Sequence, residues 1–387
     1  MRGHITRKKG SKKWYIVIDV RDENGKRHRK WISGFNTKRE AEQALPRVLQ
    51  EYESGLYAPV QKETVETYLH RWLEVKKPQI AYGTYRKYEW LIRKHIIPKL
   101  GRIELQKLRP MDLQKFYTLL RTGDNALSSR STLHAHRIIH EALERAVKWG
   151  LVPRNVADAV EPPKADRYHA SVWTVEQAAL FIEHTRKSES RFWPVFVLAI
   201  TTGMRKAEIL GLQWPDVDME RGYISVQRTL DYVKKQPVVK ELKTDRSRRY
   251  IALPSQAVEA LRAQRTMQAQ DRLLIGPGYK VSDWVFTNEL GEPLSPNSVN
   301  TAWYRALQNV NVPRIRFHDL RHTHASLMLQ QGVNPKIVSE RLGHATVQIT
   351  LDTYSHVLPG LQREAADQFG DLLKNIAARK YISSNEG

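Results

Sequence analysis

Two interruptions constrain what this chain can fold into: Gly55-Leu56-Tyr57-Ala58-Pro59 and Glu161-Pro162-Pro163-Lys164. Proline fixes φ and removes a backbone donor, and it pushes the residue before it out of the α region, so neither stretch can sit inside a helix or a central strand. A chain of 387 residues is also too long for one comfortable core. Two or three domains are expected, divided as 1–58, 62–162, a linker over 163–170, 171–375 and a tail over 376–387.

The first stretch alternates, with Trp14, Ile16 and Ile18 on one side and Tyr15, Val17 and Asp19 on the other. Asp22-Glu23-Asn24-Gly25 is a strong hairpin turn into a second strand through Arg27, Arg29 and Trp31. A third short strand is expected near Ser33-Gly34-Phe35, and Thr37 with Glu40 forms a capping box for a helix. Trp14 and Trp31 are expected in the core. Residues 1–55 hold fourteen Lys and Arg against seven acids. A three-stranded sheet with one helix behind it and a basic outer face can lay its strands in a DNA major groove.

Residues 64–160 read as mostly helical, with Val65, Tyr68, Leu69 and Trp72 on one stripe. Pro110 opens a helix through Leu113, Phe116 and Leu120, and Ser131 precedes a long one that stops at Trp149-Gly150.

The whole chain carries a formal charge of +22, which calls for a polyanionic partner or an anionic surface. It has no cysteine, which excludes disulfide frameworks, zinc fingers and thiol catalysis. No apolar run approaches the length of a membrane span, and the start Met1-Arg2-Gly3-His4 lacks a hydrophobic signal core. A cytoplasmic protein with no membrane partner is expected.

Beyond Pro163, Thr174 caps a helix and an apolar helix runs from Phe192 to Ile200. It leads into Thr202-Gly203-Met204-Arg205-Lys206-Ala207-Glu208, where Arg205 starts a helix and Glu208 shares its face, placed to hold the guanidinium. The period then switches to two: Tyr223–Val226, Val238–Leu242 and Arg249–Leu253 read as strands, with Lys243–Ser247 as the turn between the last two. Further on, Phe317-His318-Asp319-Leu320-Arg321-His322-Thr323-His324 is followed by Leu342-Gly343-His344 and by Tyr354 in a polar segment. Arg321, three residues after His318, points the same way on a helix and can grip a phosphate bidentately, while an imidazole donates or moves a proton. The residues themselves suggest a phosphoryl-transfer site with a tyrosine nucleophile. A metal site is the rival reading, with His318, His322, His324 and Asp319 as ligands. Only His318 and His322 share a face, His-Glu-x-x-His is absent, and two nearby arginines repel a cation, so no metal is expected.

The His-x-x-Arg, Leu-Gly-His and Tyr series, with Thr-Gly-x-Arg-x-x-Glu and Lys-Thr-x-x-Ser-x-Arg upstream, resembles the tyrosine recombinases. The likeness is to integrases of temperate phages and integrative elements of Gram-positive bacteria, and it covers nearly the whole chain. It implies a mixed, mainly α fold: a three-stranded sheet plus helix that binds arm-type DNA, a helical core-binding domain, and an α+β catalytic domain. It implies the catalytic set Arg205, Lys243, His318, Arg321, His344 and Tyr354, with Lys243 as general acid, His318 assisting the proton of Tyr354, and no cofactor. Arg27 and Arg29, together with Lys87, Arg93, Lys94, Arg130, His134 and Arg137 of the helical domain, become the candidates for DNA contact. The implied activity is cutting and rejoining duplex DNA at attachment sites through a 3′-phosphotyrosyl intermediate and a Holliday junction, as a homotetramer on DNA. A host DNA-bending factor and an excisionase are implied partners. The alternatives are relaxation of DNA by the same chemistry, as in a type IB topoisomerase, and a DNA-binding regulator without a covalent step.

Overall fold

A computed structural model describes residues 3–21, 27–53, 63–123, 125–166, 170–188, 190–234, 236–242, 248–354, 366–367 and 369–370. The chain separates into two compact units, Met1–Arg167 and Tyr168–Gly387.

The first unit opens with an antiparallel sheet of β1 (Gly3–Arg7), β2 (Trp14–Arg21) and β3 (Arg27–Phe35), in that order. The third strand therefore comes from the basic N-terminal segment. Ser33-Gly34-Phe35, expected as a strand of its own, is instead the end of β3, where the register slips by a residue opposite Trp14 and Tyr15. α1 (Lys38–Glu53) packs behind the sheet, and Ile16, Ile18 and Ala41 are buried between them. Thr37 Oγ1 accepts from the Glu40 N–H at 3.2 Å, but the Glu40 carboxylate reaches back to the Asn36 N–H at 2.9 Å rather than to Thr37.

Trp31 departs from expectation. Period two puts Ile32 on the core face, so Trp31 lies on the outer face opposite Val17 and remains 44% exposed. There Tyr15 meets it edge to face, and the Lys8 ammonium sits 5.0 Å from its ring centre. Trp14 does pack into the core.

The helices of this unit are α2 (Val65–Lys76), α3 (Tyr82–Leu91), α4 (Ile97–Leu100), α5 (Pro110–Arg121) and α6 (Ser129–Lys148). A π-turn over Ile92–Ile96 joins α3 to α4. Pro98 accounts for it, because its missing N–H leaves the carbonyl four residues back without a helical partner. α6 starts two residues earlier than Ser131 because Ser128, whose side chain accepts from the Ser131 N–H, is the cap. Apolar faces of these helices meet in one core around Tyr68, Leu113, Phe116 and Ile138. The Tyr68 hydroxyl donates to the Ala142 carbonyl at 2.5 Å, satisfying the one polar end of that ring inside the core.

The second unit runs α7 (Val175–Lys187), α8 (Trp193–Thr202), α9 (Lys206–Leu210), β4 (Val217–Asp218), β5 (Tyr223–Val226), β6 (Arg228–Val233), β7 (Gln236–Glu241), β8 (Arg249–Ala252), α10 (Ser255–Ile275), α11 (Pro296–Gln308), α12 (Asp319–Gln330), α13 (Pro335–Leu342) and α14 (Val347–Tyr354). The expected strands all form, but in two sheets: β4-β5-β8, and a separate β6-β7 hairpin. β6 supplies the partner that β7 was expected to find in β8. The core is aromatic. Trp173, Phe181, Phe196 and Phe317 gather around Trp303, whose indole N–H donates to the Ile315 carbonyl at 2.9 Å. Among the described residues no helix is long and apolar enough to cross a membrane. Beyond Tyr354 the sequence leads through Leu358 and Leu361 toward a last helix with Phe369, Leu372, Leu373 and Ile376 on its apolar side; Phe369 is helical but 62% exposed, and the other five lie outside the described residues.

Candidate active site

The site is assembled where the end of α8, the start of α9 and the α12–α14 segment converge. α8 is closed by Gly203 at φ +66°, and a Cβ there would lie 2.6 Å from the His324 ring and 2.7 Å from Leu342. Only glycine fits both the turn and the contact. Its carbonyl accepts from Arg321 Nη1 at 2.8 Å, and the Leu342 carbonyl accepts from Nη2 at 2.7 Å. Arg321 is thus held between two chain segments and is 5% exposed. Burial, helped by Arg205, lowers it to about 9, so it stays cationic at neutral pH.

Arg205 caps α9. Its Nη1 donates to Glu208 Oε1 at 2.7 Å, and its own N–H donates to Oε2 at 2.9 Å. Glu208 is almost completely buried and is shared: Arg249 Nη2 donates to Oε2 at 2.8 Å. Arg249 also donates from Nε to the Arg341 carbonyl at 2.7 Å, linking β8 to the end of α13. Burial pushes the Glu208 carboxyl up, but Arg249 and Arg205 outweigh it and hold the group below the usual carboxylate range.

His318 sits at the start of α12, just after Arg316, whose guanidinium clasps the buried Asp319 at 2.8 and 3.0 Å. His344 follows α13, and its Nδ1 bonds Thr350 Oγ1 at 2.8 Å. Burial, reinforced by Arg321, holds both imidazoles below the ordinary value, His344 at about 4. His324 is committed to the fold. Arginine can only donate, so Arg341 Nε, 3.1 Å away, fixes Nε2 as the acceptor, and Nδ1–H then donates to the Ile200 carbonyl at 2.9 Å.

Tyr354 ends α14. Its ring is 2% exposed, against Ala325, Leu329, Val338 and Leu342, although its segment is polar in sequence. Burial pushes the phenol up to about 12, Arg321 opposing. Its hydroxyl lies 2.9 Å from His322 Nδ1. Among the described residues no hydrogen bond joins Tyr354 to His318, the histidine expected to assist it. Position 322 is one turn further along α12, and this puts its ring between the two, 5.6 Å from each.

A cleft of about 690 Å³ is lined by Arg205, His318, Arg321, His322, His344 and Tyr354. Two fixed guanidiniums, three neutral imidazoles and a phenol in one cleft suit a phosphodiester, with positive charge where a phosphorane would gain negative charge. Lys243 lies outside the described residues.

Residues 172–360 match the phage integrase family, residues 64–120 the phage integrase N-terminal SAM-like domain, and residues 4–52 an arm DNA-binding domain. The chain belongs to the phage integrase family of tyrosine recombinases. The recombinase is 28% identical to the "Tyrosine recombinase XerC-like" protein of Caldanaerobacter subterraneus over 94% of this chain and 97% of that one. It is 28% identical to the ICEBs1 integrase of Bacillus subtilis over 75% and 78%. In fold it is similar to the Tn1549 transposon integrase in complex with transposon right end DNA (19% identity, TM-score 0.65, 79% of this chain and 99% of that one). It is likewise similar to a lambda integrase tetramer bound to a Holliday junction (18% identity, TM-score 0.59, 88% and 92%).

Of the expected DNA contacts in the recombinase, Lys87, Arg130 and Arg137 are exposed and gather around the half-buried His134, whose proton affinity burial and these three cations all lower. Arg93 and Lys94 are exposed on the neighbouring π-turn, with Arg93 paired to Glu89 at 3.4 Å. Arg29 pairs with Asp19 at 3.6 Å beside Trp31 on the outer sheet face, and the Arg27 side chain lies outside the described residues. Sequence reasoning overlooked Arg249 and His322 as parts of the site. Arg249 closes the Lys-Thr-x-x-Ser-x-Arg pattern, and His322 stands four residues after His318; both signals were in plain view.

Proposed function

We propose that this recombinase is an integrase that inserts and excises a phage or mobile element, using Tyr354 to cut duplex DNA at an attachment core. The phenol oxygen forms a 3′-phosphotyrosyl bond as the 5′-oxygen departs. The conserved bond energy then lets a partner strand's 5′-hydroxyl reverse the step without ATP. Two such exchanges through a Holliday junction join two sites, which takes four protomers. Arg205 and Arg321 neutralise the non-bridging oxygens, each donor so placed being worth about 10²–10³ in rate. Lys243 protonates the leaving oxygen, and His318 and His344 orient the phosphate. The domain division follows the same reading: an arm reader over 1–58, a core binder over 62–162 and a catalytic domain over 171–375. The Lys87, Arg130, His134 and Arg137 patch meets core-site phosphate. On the arm reader, the outer face offers Lys8 and Arg29 to phosphate and Trp31 to base edges. A host DNA-bending factor and an excisionase would set direction, in the bacterial cytoplasm beside the nucleoid.

The observation that carries this reading is the placement of the Tyr354 hydroxyl at the wall of a cleft that also holds Arg205 and Arg321. The test is a suicide duplex bearing the attachment core. The wild type should form a covalent adduct that survives denaturation, and Tyr354→Phe should form none while binding the core normally. An adduct with the Phe variant would overturn the assignment.

A further inference from the structure

The mechanism above leaves the phenolic proton without a receiver, and the structure offers one that neither motif nor family match assigns. We propose that His322 Nδ1 takes the proton of Tyr354 as the phenol oxygen attacks DNA. The inference rests on Tyr354 being the nucleophile.

Geometry carries it. His322 Nδ1 is the hydrogen-bond partner of the Tyr354 hydroxyl at 2.9 Å, within the range a general base requires, whereas His318 reaches the phenol only through the intervening His322 ring. The charged and titratable groups facing His322 are His318, Asp319, Arg321 and Arg316 from its own helix region, Tyr354 from α14 and His344 from the turn before it. Burial first, then His318, hold His322 down at about 4, so at neutral pH the imidazole is uncharged and its acceptor nitrogen is free to be protonated. A DNA phosphate entering the cleft beside Arg205 and Arg321 brings negative charge close to this ring and raises its proton affinity when the proton must move.

The step balances. The Tyr354 oxygen bonds to phosphorus, the phosphorus–5′-oxygen bond breaks, the phenolic proton passes to His322 Nδ1, and the 5′-oxygen takes a proton from the general acid. Rejoining reverses each transfer, with protonated His322 returning its proton to the phenolate. This requires the His322 tautomer with hydrogen on Nε2 in the resting enzyme.

The test uses the full-length protein and single-turnover adduct formation on the suicide duplex, with His322→Ala and His322→Asn. Asparagine retains a polar group near Nδ1 but cannot take a proton. Both variants should bind the core duplex like wild type and lose about 10²–10⁴ in adduct rate. A duplex with sulfur in place of the bridging 5′-oxygen needs no general acid, and it should not restore either variant. An Asn variant within about threefold of wild type would show that the contact only positions the phenol, and rescue by the sulfur substrate would place His322 at the leaving group; either overturns the proposal. If the Ala variant does not fold, the Asn variant decides. Tyr354→Phe is run alongside: an adduct there overturns the nucleophile assignment and this proposal with it, whereas no adduct there beside an active Asn variant overturns this proposal alone.

Discussion

Replacing Glu208 by Gln should cost the catalytic unit more than any surface change. The carboxylate accepts from Arg205 Nη1 at 2.7 Å and from Arg249 Nη2 at 2.8 Å, and its side chain is 1% exposed while that of Arg249 is 7% exposed. An amide keeps one acceptor oxygen, turns an N–H donor against guanidinium donors, and leaves the Arg249 charge buried without its counter-charge. Breaking a buried pair in this way costs about 3–5 kcal/mol, a large part of the roughly 5–15 kcal/mol that holds a domain together. At about 2–4 °C per kcal/mol for a unit of this size, thermal unfolding of the full-length protein should begin some 6–20 °C lower. Arg249→Met in the same background removes the stranded charge and should recover more than half of the loss. The wild-type carboxyl is held below its ordinary value of 4.5, so the stability it contributes is present above that value and lost as pH falls through the folded one. The gap between wild type and Glu208→Gln should therefore close in acid. A loss under about 1 kcal/mol at pH 7, or a double variant as unstable as the sum of the singles, would refute this account of a shared buried carboxylate.

Three further outcomes are expected. Buried His324, depressed to about 3, stays neutral in the folded protein while its unfolded counterpart protonates below about 6.5, so stability should fall by about 1.4 kcal/mol per pH unit from this residue alone between pH 6 and 4; a flat melting temperature over that window would contradict its burial as a neutral ring. Adduct formation should survive EDTA, because Arg205 and Arg321 supply the positive charge that a metal would bring; loss of cleavage restored by Mg²⁺ or Zn²⁺ would refute it. Trp31→Ala should leave cleavage of a short core site unchanged while reducing discrimination between arm-site and scrambled duplexes at about 0.15 M salt, and equal discrimination before and after would remove Trp31 as a reader.

Much of this was legible because the site is written locally. Arg205, His318, Arg321, His344 and Tyr354 stand in short motifs whose spacing along helices brings their side chains to one place, and the structure sets all five on one cleft. What was not legible depended on distant partners. Nothing within Val238–Leu242 says whether it pairs with the strand before it or after it, and β6 won. Trp31 reads as core by residue type, and only the phase set by Ile32 against α1 turns it outward. The polar neighbours of Tyr354 suggest an exposed phenol, yet its ring is sealed by α12 and α13, elements a single segment does not reveal. His322 was weighed only as a metal ligand, because its role is defined by a tyrosine 32 residues away.

The two carbonyls that grip Arg321 belong to Gly203 and Leu342, so one guanidinium ties together stretches of chain that are far apart in sequence. It is a fastener as well as a tool. The Tyr354 oxygen has one partner, His322 Nδ1, and a phenylalanine would fill the same apolar seat at the loss of that single hydrogen bond. A lineage that loses the tyrosine can therefore persist as a folded protein that still occupies its sites, a ready-made competitor of active copies. Losing the arginine removes a joint of the structure, and that variant would be cleared rather than inherited as an inhibitor.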